Sequence, residues 1–282
     1  MTEAKREWAI RRILVALDVS AHSLAALEEA AKLAASMEAE LVGLFVEDIN
    51  LLRIAALPFA RQIGYPSGIE EPLDSLRMER ELKIRGEQAR QALAAAAARA
   101  QTPWSFHIAR GDVTAEILAA ALEADLVLLG KAGWSPPRPM GLGSTALAVA
   151  AIAPHAILLV QHGTRLHGPI MAVYDGSPGS HQALETAIRL AIAREQDLTV
   201  FILSDRPERG EELEDNVKQI VGRRTKRLRC RRLNSTDLHR LAQAVHGERG
   251  GLLVLAGSGS LGEEEAIRNS LGDIENPILL IR

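Results

Sequence analysis

The stretch ILVALDVSAHSLAALEEAAKLA at residues 13–34 returns in altered form as IMAVYDGSPGSHQALETAIRLA at residues 170–191. Each copy opens with a short apolar run, turns at an aspartate followed two residues later by a serine, and continues with apolar residues at helical spacing. Asp18 and Asp175 correspond, 157 positions apart. The two halves also close alike, with LVLLG at 126–130 and AILLVQ at 156–161 in the first, and LLVLAG at 252–257 and PILLIR at 277–282 in the second. The chain therefore reads as two copies of one unit. HGTRLHG at 162–168 lacks apolar periodicity and reads as the connection, which sets the expected domains at 1–163 and 168–282.

Within each half, runs rich in Val, Ile and Leu alternate with stretches of helical period. Strands are expected near 12–17, 40–47, 104–109, 125–130 and 156–161, then near 169–174, 198–203, 227–233, 251–256 and 277–281. Helices are expected near 21–37, 72–101, 113–123 and 143–152, with helices between the strands of the second half as well. Strands apolar on both faces and joined by helices imply parallel sheets covered on both sides. The expected fold is α/β: two tandem Rossmann-like, doubly wound domains, each a five-stranded parallel sheet flanked by helices. Ligands of such sheets bind beyond the carboxyl ends of the strands, where the strand order switches.

Composition narrows the function. The chain has 282 residues, 47% of them hydrophobic and 24% charged, which is enough apolar material for packed cores and excludes a disordered or collagen-like chain. Its single cysteine, Cys230, excludes an internal disulfide and a cysteine-based zinc cluster. The net charge is −3, and up to residue 165 there are 17 basic against 19 acidic residues. Neither half is a polycation, so no nucleic-acid partner is expected. No signal-peptide pattern and no run of about 20 apolar residues appears, so a cytoplasmic protein without membrane insertion is expected.

Chemistry concentrates after the fourth strand. Gly130 is followed by two residues and Gly133, then by nine residues and Gly143-Ser144-Thr145 at the start of a helix. Glycines let the backbone approach an anion and turn its N–H groups inward, and a helix start adds free amides and a favourable dipole. Lys131 and Arg138 stand where charge can reach a phosphate or project to solvent. The pattern G-x2-G-x9-G-[S/T], with Asp18 ending the first strand, resembles the ATP-binding subclass of the universal stress protein family, and the likeness runs over nearly the whole chain as a tandem pair. The resemblance implies that Asp18 contacts the ribose or adenine side of a nucleotide and that Val46 offers backbone bonds to adenine. It further implies that Gly130, Gly133, Gly143, Ser144 and Thr145 hold the phosphates of ATP, alone or with Mg, with Lys131 beside them. It also implies domains that pair through their last strands, so that one tandem chain imitates a homodimer and two chains pair further. The prolines of Trp134–Pro139 depart from a loop that is usually richer in glycine.

The second half departs more. It keeps Asp175-Gly176-Ser177, but Gly257 stands 21 positions before Ile278 where Gly130 stands 27 before Ile157. Glu263, Glu264 and Glu265 crowd the shortened loop and would repel a polyphosphate, so this half is expected to bind ATP poorly or not at all. Gly257-Ser258-Gly259-Ser260-Leu261-Gly262 is formally a dinucleotide fingerprint, yet the acidic residue needed about 20 positions on is missing. No P-loop, H-E-x-x-H, C-x-x-C or nucleophile elbow occurs, so no catalytic residue and no metal ligand is assigned. The reading is a nucleotide-dependent regulator of the stress response with a regulatory protein partner. A weak ATP hydrolase, or an adaptor with a vestigial motif, stays open beside it.

Two stretches remain. Residues 223–232 hold seven basic side chains in ten, and reading Leu228, Cys230 and Leu233 as packed positions makes this an edge strand with outward arginines rather than a nucleic-acid patch. The insertion from Asn50 to Pro72 has no counterpart in the second half; a lid, packing on the rest of the chain and a dimer contact are all open for its apolar residues.

Overall fold

The computed structural model describes residues 10–63, 70–133, 141–164, 166–225, 227–234, 238–248, 250–257 and 271–282. In the first half the strands are β1 (Arg12–Ala16), β2 (Glu40–Asp48), β3 (Arg61–Ile63), β4 (Glu70–Pro72), β5 (Trp104–Gly111), β6 (Leu126–Gly130) and β7 (Ala156–Val160). The helices between them are α1 (Ala21–Met37), α2 (Ile49–Ala55), α3 (Ser75–Ala100), α4 (Val113–Ala121) and α5 (Ser144–Ile152). The second half supplies β8 (Ile170–Tyr174), α6 (Pro178–Ala193), β9 (Leu198–Ser204), α7 (Pro207–Val221), β10 (Leu228–Asn234), α8 (Leu238–His246), β11 (Leu252–Ala256) and β12 (Ile278–Ile281).

Ten of the strands form one sheet, in the order β10-β9-β8-β11-β12-β7-β6-β1-β2-β5. Each half contributes five parallel strands with its first and fourth adjacent, so the order switches between β1 and β6 and again between β8 and β11. The halves meet through their last strands, β12 and β7, which run antiparallel with Leu279 opposite Leu158. The inner strands are buried on both faces, as their unbroken Val, Ile and Leu runs require. Two apolar layers result, and both cross the seam. One packs α1, α3, α6 and α7 on one face of the sheet, and the other packs α4, α5 and α8 on the opposite face.

Local chemistry sets the helix starts. Ser20, Asp48, Asp74, Asp112 and Ser177 each cap a helix with a side-chain oxygen, which satisfies amides that the first turn leaves open. The insertion is not a plain loop. Asp48 nucleates α2, and β3 and β4 pair as a short antiparallel hairpin, elements whose three to seven residues are too short to show a period. Leu51, Ile54, Phe59 and Ile63 remain exposed on it.

At the far edge, β10 packs Leu228 and Cys230 into one apolar layer and Leu233 into the other. Its outward Arg231 and Arg232 pair with Glu248, Glu211 and Glu214. From Leu228 on, the basic run is thus an edge strand whose Arg229, Arg231 and Arg232 are matched by glutamates. Burial pushes the Cys230 thiol up to about 11.

The connection between the halves is held by close backbone approach. Gly168 faces Gly250 and Gly251, and the Gly251 amide donates to the His167 carbonyl at 3.1 Å. Gly251 has φ +95°, and a Cβ there would run into the Pro169 carbonyl oxygen. Gly163 also has positive φ, +85°, but open space around it. Gly251→Ala is therefore expected to destabilise the chain by about 3 kcal/mol or more and Gly163→Ala by about 1 kcal/mol. Equal shifts of the two midpoints in urea unfolding would contradict this account.

Candidate functional site

The site is built where β1 and β6 end side by side. Asp18 closes β1 with a tight turn in which Val19 takes φ +64°. Its Oδ1 accepts the Ser20 amide at 2.9 Å, while Ser20 Oγ accepts the Ser23 amide and opens α1. The same bonds recur around Asp175, Ser177 and Ser180, with Gly176 at φ +83° in place of Val19. Part of the aspartate's work in both halves is therefore to shape the turn.

The glycines divide by role. A Cβ on Gly130 would stand 2.8 Å from the His22 carbonyl carbon and the Ser23 amide nitrogen, so this glycine lets β6 end hard against the start of α1. At Gly133 a Cβ would stand 2.9 Å from Asp18 Oδ2, which brings the end of β6 to the end of β1. Gly143 has room, its nearest neighbours lying at 3.5 Å, and its amide donates to the Lys131 carbonyl at 2.7 Å. That bond ties the start of α5 to the first turn of the loop. Gly143 is the N-cap of α5 and makes no side-chain cap bond. Ser144 is exposed and Thr145 half-buried in the first turn of α5. Val46 lies near the end of β2, and continuing the register that pairs Ala16 with Leu44 sets it beside Asp18. Asp18, Val46, Gly130, Gly133, Gly143, Ser144 and Thr145 thus gather at one strand-order switch, while residues 134–140 of the connecting loop lie outside the described residues.

Lys131 goes elsewhere. Its side chain is 4% exposed and its Nζ donates to the carbonyls of Ile274 and, at 2.9 Å, Asn276, both in the second half. The charge expected beside a phosphate is occupied by main-chain oxygens across the seam. Burial pulls this amine down to about 7, with Glu275 opposing the shift. The reciprocal contact comes from Arg282, which donates to the Gly257 carbonyl at 2.6 Å and to the Ala150 carbonyl near the end of α5.

His22, which no motif singles out, also stands at the site. Its Nδ1 accepts the His162 amide at 3.0 Å, and burial followed by the His162 charge lowers its pKa, with Asp18 opposing. The only sequence signal for it is that the second half has Gly179 at the matching place.

In the second half, α7 brings Leu213 and Arg209 against Gly176, and Arg209 pairs with Glu212. The shortened loop at 258–270, with its glutamates and the G-x-G-x-x-G pattern, lies outside the described residues. Among the described residues no three His, Cys, Asp or Glu side chains cluster as a metal site. Nor is any described helix long and apolar enough to cross a membrane.

The family model described as the universal stress protein family matches residues 9–161, just over half of the chain. The chain belongs to that family. A universal stress protein from Archaeoglobus fulgidus is similar over 96% of each chain, with a TM-score of 0.73 at 16% identity. A protein of unknown function from Pseudomonas aeruginosa is similar over 97% of this chain and 93% of its own, with a TM-score of 0.62 at 15% identity. These likenesses establish the fold in both halves. A universal stress protein solved in complex with cAMP covers 55% of this chain and 98% of its own, with a TM-score of 0.36 at 21% identity. No curated protein matches.

The Lys131 shift has a consequence for stability. An amine whose pKa is lower in the folded than in the unfolded state leaves the unfolded chain holding more protons between the two values. Stability therefore rises with pH from about 7 toward the ordinary lysine value. The stability difference between wild type and Lys131→Met, followed by urea unfolding, should move in favour of the wild type across that range. A difference independent of pH would mean that folding leaves the Lys131 pKa unchanged.

Proposed function

We propose that the first half, taken as residues 1–163, binds ATP, and that the chain acts as a nucleotide-dependent regulator of the stress response. One observation carries the reading: Gly133 reaches Asp18 Oδ2 at the strand-order switch while α5 starts beside it on Gly143, an N-cap without a side-chain bond. An anion at that helix start would meet free amides and the positive end of the dipole. The donors suit a polyphosphate: the amides around Gly133, those of the first turn of α5 after Gly143, and the hydroxyls of Ser144 and Thr145. Val46 would offer backbone groups to the base, and the Asp18 carboxylate would serve the ribose. ATP would supply a charged phosphate chain spanning the described anchors, and bound Mg would lessen its charge.

Lys131 has a supporting place in this reading, since its carbonyl holds the Gly143 amide. The second half serves as a built-in partner, its strand end covered by Leu213 and Arg209. We assign no catalytic residue, and the regulatory output is placed on a protein partner in the cytoplasm.

The test uses Gly143→Asp. Gly143 has φ −61° and ψ 151°, which aspartate adopts without strain, and its carboxylate would cap α5 as it displaces a phosphate. Mass spectrometry of small molecules released from purified protein should find adenine nucleotide in the wild type and none in the variant. The variant's melting temperature should be equal or higher. If neither protein carries nucleotide and added ATP fails to bind in equilibrium dialysis, the glycine pattern is a relic and the reading falls.

A further inference from the structure

Lys131 touches both phosphate anchors and the opposite half of the chain. Its amide donates to the Val160 carbonyl on β7, its carbonyl accepts the Gly143 amide at the start of α5, and its ammonium caps the Ile274 and Asn276 carbonyls just before β12. Four hydrogen bonds to three segments leave the residue no independent freedom. Where it sits fixes the path from Gly130 to Gly133 and the distance from that turn to α5. Asn276 is itself buried, with its Nδ2 3.5 Å from the Gly251 carbonyl at the start of β11, so the carbonyls that hold the ammonium belong to a packed part of the second half.

We propose that Lys131 is a positioning residue through which the second half sets the nucleotide affinity of the first. It is not a phosphate ligand; it holds the two phosphate anchors in register from behind and adds a positive charge that the bound phosphates feel through the protein. The inference rests on the nucleotide reading above and deepens it, because it assigns the second half a task at the first half's site.

The charge gives the role a signature. The groups that act on this amine are Glu275, on the segment before β12, and His22, on α1, with Asp18 and His162 beside His22. Phosphates bound at the α5 start favour the protonated amine, so binding takes up a proton and the contribution of Lys131 to affinity declines as pH rises through about 7. Its contribution to stability runs the other way, rising with pH over the same range. A residue with a merely structural role would show only the second trend.

The experiment measures ATP affinity of the full chain by calorimetry, for wild type and Lys131→Met, between about pH 6 and about pH 8.5. Methionine keeps the length and removes the buried charge, leaving the 274 and 276 carbonyls without their donor. Taking the ratio of the two affinities cancels the titration of ATP itself. The variant should bind roughly tenfold more weakly at the acid end, and the ratio should shrink toward unity at the alkaline end. Equal affinities at every pH, with wild-type binding intact, would overturn the positioning role and leave the nucleotide reading standing. Absence of wild-type binding would overturn both. Should the variant fail to fold, hydrogen exchange on the wild type decides: protection of the Gly143 amide and of the Ile274, Glu275, Asn276 and Ile278 amides, corrected for intrinsic rate, should change together as the pH is raised. Independent behaviour of the two segments would refute the coupling.

Discussion

The antiparallel pairing of β7 with β12 is the contact on which the molecule depends. Neither strand could be left as an edge, since both are buried on both faces and nearly wholly apolar. Their pairing joins two five-stranded sheets into one and lets both apolar layers run from one half into the other. It also brings the end of β6 next to the start of β12 and the end of β12 next to α5. Lys131 and Arg282 cross at those two places, each ending on main-chain carbonyls of the opposite half. Burying a cation is costly unless it is well bonded, and here main-chain carbonyls beside the strand ends and in α5 supply the bonds.

The fold was highly legible because its signals are redundant. Apolar runs such as LVLLG and LLVLAG are short, bounded by glycine and repeated in both halves, so period, length and repeat all agree. The closing of the two halves on each other followed from the family likeness, not from periodicity. The insertion was illegible for a physical reason: α2 and the β3–β4 hairpin are too short for a hydrophobic period to develop, and their form depends on the Asp48 cap and on α3. The role of residues 223–232 could be read, because Leu228, Cys230 and Leu233 leave the arginines facing outward.

At the site, sequence conveyed which residues end which strands, and the chain brings Asp18, Gly133 and Gly143 together as the spacing suggested. It did not convey why each glycine is a glycine. Gly130 answers to the backbone of α1, while Gly143 has room for a side chain. Lys131 was misleading for the same reason: a lysine in a phosphate-type loop looks like a ligand, and only the three-dimensional seam reveals carbonyls 274 and 276 waiting for it. Likewise, His22 acquires meaning only from the His162 amide, 140 residues away.

The chain's single thiol gives this architecture a natural reporter. Cys230 sits on β10, the last strand of the long sheet, where only β9 holds it. With the thiol pushed up to about 11 and half-buried, it is a poor nucleophile at neutral pH while the strand stays in place. Release of β10 from β9 would expose it and return it to ordinary reactivity. The rate at which a thiol reagent consumes this one residue therefore measures fraying at the outer border of the sheet, with no label to add and no competing cysteine to subtract.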